Sequence, residues 1–314
     1  MDTSLILVSF CLSFPILILA QKLFLKYNFI DKIISRSSHN SIATRSGGIS
    51  IFITIFFLSI YYYLNGRTLF DYSFIVPLFL LVMVGIYDDI KDIDYKLKFI
   101  FQIITAKIII DNGLVIDNLH GVMGIFELHR VIAQMLTIFI IVAIINSINF
   151  IDGIDGLAIS VVIIFLVSFE FFAESPSPFF NLTLILIPSL TALYYFNFRK
   201  DNKIFLGDSG SLFLGGIASI YIIFILSNDY LIKSEYDLHK IIFVISIFVY
   251  PIVDIIRVVY LRIIKGKSPF HPDKNHIHHI LIKRLNEHSI VVLLIVFTSL
   301  LIILLTQLIF KAIL

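Results

Sequence analysis

Long blocks of hydrocarbon side chains, each close to the length that crosses a lipid bilayer, constrain this chain more than any other feature. Ten apolar segments are readable, at about 4–25, 49–64, 72–87, 97–111, 130–148, 157–173, 179–198, 211–227, 240–262 and 290–310. A helix needs roughly 20 apolar residues to cross about 30 Å of hydrocarbon. Of the 314 residues, 59% are hydrophobic and 15% charged, against about 45–50% and about 25% in soluble domains. The pattern predicts an all-α, polytopic membrane protein of about ten transmembrane helices, forming a single integral domain over 1–314. A lone cysteine, Cys11, lies inside the first apolar block, which excludes disulfide scaffolds and cysteine metal sites. Ser4–Leu25 reads as a retained span, since neither a basic leader nor a cleavage site is visible.

Lysine and arginine set the expected orientation. The connections 26–48, 88–98, 199–210 and 263–288, with their adjoining helix ends, hold 18 of these residues, and the opposite set holds 5. The positive-inside rule places the first set in the cytoplasm and both termini in the periplasm; the short 149–156 connection, which has no Lys or Arg, falls on the cytoplasmic side by alternation. Every polar motif then falls on the cytoplasmic face. Ionisable groups at membrane depth are costly and are kept mainly where they meet a cavity, an ion or a substrate.

Four motifs carry the chemistry. Asp88-Asp89 ends the third apolar block, with Lys96 and Lys98 following. Adjacent carboxylates repel unless a cation or proton intervenes, and oxygen ligands of this kind suit Mg²⁺; a solvated helix end is the alternative. Asn146, Asn149, Asp152 and Asp155 recur every third residue, with Gly153 and Gly156 expected to break the helix so that amides and carboxylates converge from a loop. An Asn/Asp/Gly turn would use the same residues. Phe205-Leu206-Gly207-Asp208-Ser209-Gly210-Ser211 leads into the eighth block, where free amides at a helix N-terminus favour phosphate. Asp208 is there either a metal ligand or a simple helix cap. His276, His278 and His279 follow a basic stretch and bind phosphate if protonated, zinc if neutral; no further zinc partner is apparent, so phosphate is the expectation. On a helix His276 and His279 share a face and His278 points away. Asp254 and Arg257, three residues apart, read as an intrahelical pair or as catalytic groups, and Lys107 with Asp111 as a pair.

Assembled in order, these pieces resemble the polyprenyl-phosphate N-acetylhexosamine-1-phosphate transferases, which include bacterial undecaprenyl-phosphate GlcNAc-1-phosphate transferases and the phospho-MurNAc-pentapeptide translocases. The likeness runs from Asp31 through His39, Thr44-Arg45-Ser46-Gly47-Gly48, Asp88-Asp89, Lys98 and Gln102. It continues through Asn146–Gly156, Phe205–Ser211 and Asp254, and closes at His276-Ile277-His278-His279. The spaced histidines look more like the GlcNAc-1-phosphate branch. Ile42 and Ser46 stand where the family often has proline.

The resemblance implies a Mg²⁺-dependent enzyme of the bacterial inner membrane, with Mn²⁺ an admissible substitute. It would transfer N-acetylhexosamine-1-phosphate from a UDP-N-acetylhexosamine to undecaprenyl phosphate at the cytoplasmic face, initiating an envelope glycan such as O-antigen. By position, Asp208 and Asn149 would hold the metal, and Asp88, Asp89, Lys98 and His279 would be catalytic. Asp88 would act either as a base or in placing metal or substrate. Asn146, Asp152, Asp155, His276, His278, His39 and Arg45 would bind substrates. No nucleic-acid partner is expected, and a homodimer is admitted. Other sugar phosphates within the family are the nearest alternative, and a secondary transporter is the alternative from another class.

Overall fold

The computed structural model describes residues 3–31, 42–227, 230–236, 239–268 and 275–313. Among them are twelve α-helices and two short strands: α1 (Thr3–Lys26), β1 (Ala43–Thr44), α2 (Gly47–Leu64), α3 (Ile75–Lys91), α4 (Tyr95–Asp111), α5 (Arg130–Ile151), α6 (Leu157–Phe172), α7 (Phe180–Asn197), β2 (Lys203–Ile204), α8 (Gly207–Leu226), α9 (Lys240–Ile247), α10 (Val249–Ile264), α11 (Ile277–Leu285) and α12 (His288–Ile313). Each of the ten apolar segments is helical. Seven helices are long and apolar enough to cross a membrane: α1, α2, α3 with its preceding turn, α5, α7, α8 and α12. The ninth segment is broken, α9 and α10 meeting at 84°. The remaining two, α4 and α6, have 17 and 16 residues, and α4 carries Lys96, Lys98, Lys107 and Asp111. The short α11 was not foreseen as a separate helix.

α8 stands at the centre, its membrane-length stretch wholly buried, with α2, α3 and α5 packed around it. Such packing needs very small contact residues, because hydrocarbon gives helices no solvent-driven reason to associate and backbone contact must supply the attraction. A methyl group on Gly85 of α3 would lie 2.3 Å from the Ser209 Cα, and one on Gly48 of α2 would lie 2.0 Å from the Gly210 nitrogen. These two glycines let three backbones touch at the head of α8. Elsewhere, buried hydroxyls join helices: Ser9 of α1 donates to the Ile185 carbonyl at 2.7 Å, and Ser13 to Ser189 at 3.0 Å.

The strands fix the same end of the bundle. β1 and β2 run parallel, Ala43 opposite Lys203 and Thr44 opposite Ile204. The ladder continues into the helix starts: the Phe205 amide donates to Thr44, the Gly47 amide to Phe205 and the Gly48 amide to Leu206. The segments entering α2 and α8, distant in sequence, are therefore held as one unit.

Replacing Gly85 with Ala should destabilise the fold by about 1–3 kcal/mol, the usual cost of overpacking. Thermal unfolding of purified protein in detergent checks this; an unchanged melting temperature would contradict the packing described.

Candidate functional site

The polar motifs gather at one end of the bundle, around the start of α8. Asp89 ends in a position where both its oxygens face the first turn of α8: Oδ1 accepts from the Asp208 amide at 2.9 Å and Oδ2 from the Ser209 amide at 3.0 Å. A carboxylate there meets unpaired N–H groups and the positive end of the helix dipole. The N-terminal cap of α8 thus comes from α3, and Asp208 is not itself the cap. This corrects the expectation of free amides for phosphate, since these two are taken. Arg45 lies behind, with one nitrogen 2.8 Å from Asp31 and another 3.8 Å from the buried Asp89 carboxylate. Burial would lower the Arg45 pKa, but the negative field of Asp31, Asp89 and Asp208 outweighs it and raises it.

Asp88 and Asp89 do not act as a pair. Consecutive helical residues point about 100° apart, and the two side chains separate accordingly. Asp88 accepts from the Ile93 amide at 2.8 Å, closing the turn after α3, and forms an ion pair with Lys98 of α4. Lys98 also donates to Asp208 Oδ2 at 3.0 Å. The other Asp208 oxygen accepts from Asn149 Nδ2 at 2.7 Å, and the same amide nitrogen lies 2.8 Å from Ser211 Oγ. Asp88, Lys98, Asn149 and Asp208, from four helices, therefore form one connected cluster. Asn146 lies one step deeper and pairs with Gln102, its Nδ2 donating to Oε1 at 2.7 Å. It braces α4 against α5.

α5 stops at Ile151 and α6 starts at Leu157, with Gly156 in the left-handed region at φ 76°. The helix break expected at the glycines is present. In the intervening loop Asp152 is half-buried, and burial first, then the negative Asp208 and Asp89, push its carboxyl well above the usual range. Asp155 behaves oppositely. Burial would raise it, yet hydrogen bonds from His288 and Lys203 hold it below its ordinary value. Lys203 Nζ lies 2.5 Å from Asp155 Oδ2 and His288 Nδ1 3.1 Å from it. Sequence reasoning overlooked both partners; a lone lysine before the Asp208 motif and a histidine past the HxHH element were the only signals.

The histidine element rests on the same loop. Asp254 does not pair with Arg257. It accepts from His276 Nδ1 at 2.6 Å and from the Ile277 amide at 2.8 Å, capping α11, while Arg257 donates to the Asn275 carbonyl at 2.6 Å. The His276 ring also lies tilted against that of Phe150, 5.6 Å between ring centres, beside Asn149. The divergence expected for His278 is not found: its ring is 4.3 Å from that of His279 and 5.6 Å from that of His276. His278 is fully buried, its Nδ1 3.1 Å from the Tyr250 hydroxyl, and its Nε2 has no hydrogen-bond partner among the described residues. Burial, with His279 adding to it, lowers its pKa to about 3. At neutral pH it is uncharged, so a protonated triple histidine is not what this fold holds. His39 lies outside the described residues. Lys107 pairs with Asp111 as expected.

A divalent cation fits this donor set. Among the described residues no three His, Cys, Asp or Glu side chains are grouped to hold a metal. Mg²⁺ needs fewer, since it takes one or two carboxylates and completes its shell with water and phosphate oxygens. Asp88 and Asp208 converge on a single ammonium, so the space between them already favours a cation. Asn149 would offer its amide oxygen after a half-turn of the side chain. Among the described residues, Lys98 lies against Asp88 and Asp208, and Arg45 acts on Asp89 and Asp152, so four carboxylates stand beside two cations.

Comparison with known proteins places the chain in a family. Residues 71–226 match the family described as Glycosyl transferase family 4. A probable undecaprenyl-phosphate N-acetylglucosaminyl 1-phosphate transferase of Bacillus subtilis is 33% identical over 283 residues, covering 88% of this chain and 76% of that protein. The undecaprenyl-phosphate alpha-N-acetylglucosaminyl 1-phosphate transferase of Haemophilus influenzae is 31% identical, covering 88% and 78%. That of Escherichia coli K12 is 27% identical, covering 85% and 72%. The chain belongs to this family of membrane sugar-phosphate transferases.

The depressed Asp155 carboxyl gives a signed pH dependence. Its ion pairs stabilise the fold above the ordinary carboxyl range near pH 4 and are lost as the pH falls through its lowered value. Asp155→Asn should cost about 1–3 kcal/mol at pH 7 and flatten the acid limb of stability. Melting temperatures of both proteins between pH 3 and pH 7 test this; parallel curves would refute it.

Proposed function

We propose, with family membership as the premise, that this protein transfers N-acetylglucosamine-1-phosphate from UDP-N-acetylglucosamine to undecaprenyl phosphate and releases UMP. The observation that carries the reading is the cluster of Asp88, Lys98, Asn149 and Asp208 at the head of α8. The names of the relatives support the choice of sugar and lipid.

In this reading a non-bridging oxygen of the lipid phosphate attacks the β-phosphorus of the nucleotide sugar. The bond from the β-phosphorus to the oxygen bridging it to the α-phosphorus breaks, and UMP leaves with the electron pair. Two anionic substrates must approach while charge grows on the leaving group, so the chemistry needs fixed positive charge more than a strong base. Lys98 supplies one charge directly and Arg45 a second nearby. Asp208 and Asn149 would hold Mg²⁺, which would supply further positive charge for the phosphates. Asp88 orients Lys98 and would take a residual proton from the lipid phosphate. Asp89 acts as a positioning group, because it fixes the turn that carries Asp208. Asp152 and Asp155 border the nucleotide and sugar. The neutral His278, with the rings of His276 and His279 close to its own, would form a hydrogen-bonding wall toward the phosphates.

The membrane arrangement belongs to the same proposal. The seven long helices, the bent α9–α10 pair and the shorter α4 and α6 make ten crossings, with the site end in the cytoplasm on the strength of the lysine and arginine asymmetry. Both termini then lie in the periplasm. The product is suited to starting a lipid-linked envelope glycan such as O-antigen.

Purified protein incubated with undecaprenyl phosphate, Mg²⁺ and a panel of UDP-sugars should release UMP with UDP-N-acetylglucosamine and lose that activity in EDTA. Silence with every donor would overturn the proposal. Lys98→Met and Asp208→Asn should each lower kcat by about 100-fold or more, as loss of a charge-stabilising group does, while remaining folded in detergent. Near-normal turnover of Asp208→Asn would remove that residue from the metal site.

A further inference from the structure

At the other end of the bundle, the connection from α4 to α5 folds into a tight hairpin. Asn118 bridges Glu127, the Leu119 amide donates to Phe126 at 2.8 Å, and the Gly121 amide donates to Ile125 at 3.0 Å. From Gly121 to Phe126 there is no charged residue. The side chains at the tip are apolar and bare: Met123 is 95% exposed, Phe126 62%, Ile125 42% and Val122 36%. Met123 also sits in the left-handed region at φ 54°, where glycine or asparagine is the easier choice. A strained, wholly exposed methionine beside an exposed phenylalanine is a poor surface for contact with water.

Two hydrogen bonds set the level of this hairpin. The Ile116 amide donates to Thr137 Oγ1 at 2.9 Å, and Thr137 lies two turns inside α5, roughly 10 Å along its axis from Arg130. His120 Nε2 lies 2.8 Å from the carbonyl of Leu226, the last residue of α8. The base of the hairpin therefore lies two turns inside α5, and its arm reaches the end of α8, both helices of membrane-crossing length. Beyond Phe126 the chain enters α5, whose outward face repeats the theme with Val131, Met135 and Phe139, each more than half exposed. Exposed Glu127, His129 and Arg130 stand between that stripe and the apolar tip.

We propose that this hairpin is a lipid-inserted wedge, its Val122–Phe126 tip resting among headgroups and upper acyl chains of the leaflet opposite the candidate site. Small apolar and aromatic side chains at this depth are stabilised by the area they remove from water. The hairpin would then fix the tilt and depth of α4 and α5. The proposal rests on these helices crossing a bilayer and is independent of the sugar donor.

The chain contains no tryptophan, so a single introduced indole reports its surroundings without background. Met123→Trp, reconstituted in phospholipid nanodiscs, should be quenched by brominated phospholipids and shielded from aqueous iodide, close to the behaviour of Phe139→Trp on the lipid-facing stripe. Lys200→Trp, exposed at the site end, supplies the aqueous reference. Quenching by iodide with no effect of brominated lipid would overturn the wedge. So would shielding from both, which would mean that protein covers the tip, through a second copy or another partner. Phe126→Trp repeats the measurement should Met123→Trp fail to fold.

Discussion

The grip of Asp89 on the first turn of α8 is the interaction on which the rest of the site depends. One carboxylate satisfies two amides that no residue of α8 could satisfy, in surroundings where unpaired backbone groups are expensive. Its effect is geometric as well as energetic. With the amides of Asp208 and Ser209 tied to α3, the Asp208 side chain is left facing Lys98 on one side and Asn149 on the other. The parallel strand pair secures the same turn from behind, through amides running from Thr44 to Leu206.

A second group of contacts brings the carboxyl-terminal third of the chain to this point. Asp254 caps α11 and holds His276, which lies against Phe150 next to Asn149. Arg262 also stands over the Phe150 ring, at 5.6 Å. Lys203 and His288 meet on Asp155 and so link β2, the loop after α5 and the start of α12. Charge is shared out among three loops that no single helix could coordinate, and buried hydrogen bonds decide which side chains stay available.

Hydrophobic blocks made the helices legible because hydrocarbon thickness sets their length, and all ten segments are helical. The convergence of Asp88, Lys98, Asn149 and Asp208 was also readable, since polar groups in such a chain have few other places to go. The assignments within the cluster were not. Whether Asp89 faces substrate or α8 depends on the relative rotation of two helices, which residue spacing does not encode. Asp254 offered Arg257 as a neighbour three residues away, yet the cap of α11 lies more than twenty residues on and exists only once the chain folds back. Lys203 and His288 carry no motif of their own and gain meaning only through Asp155.

The glycine contacts around α8 have a consequence for motion. Where backbone rests on backbone, as at Gly48 and Gly85, no side chain can change rotamer to absorb a shift, so sliding or turning α8 would either collide or leave a void. The amino-terminal half of the bundle is thus an anvil. By contrast, α10 and the segment entering α11 meet the end of α5 through a long side chain and a ring, Arg262 and His276 against Phe150, and such contacts can yield by a change of rotamer.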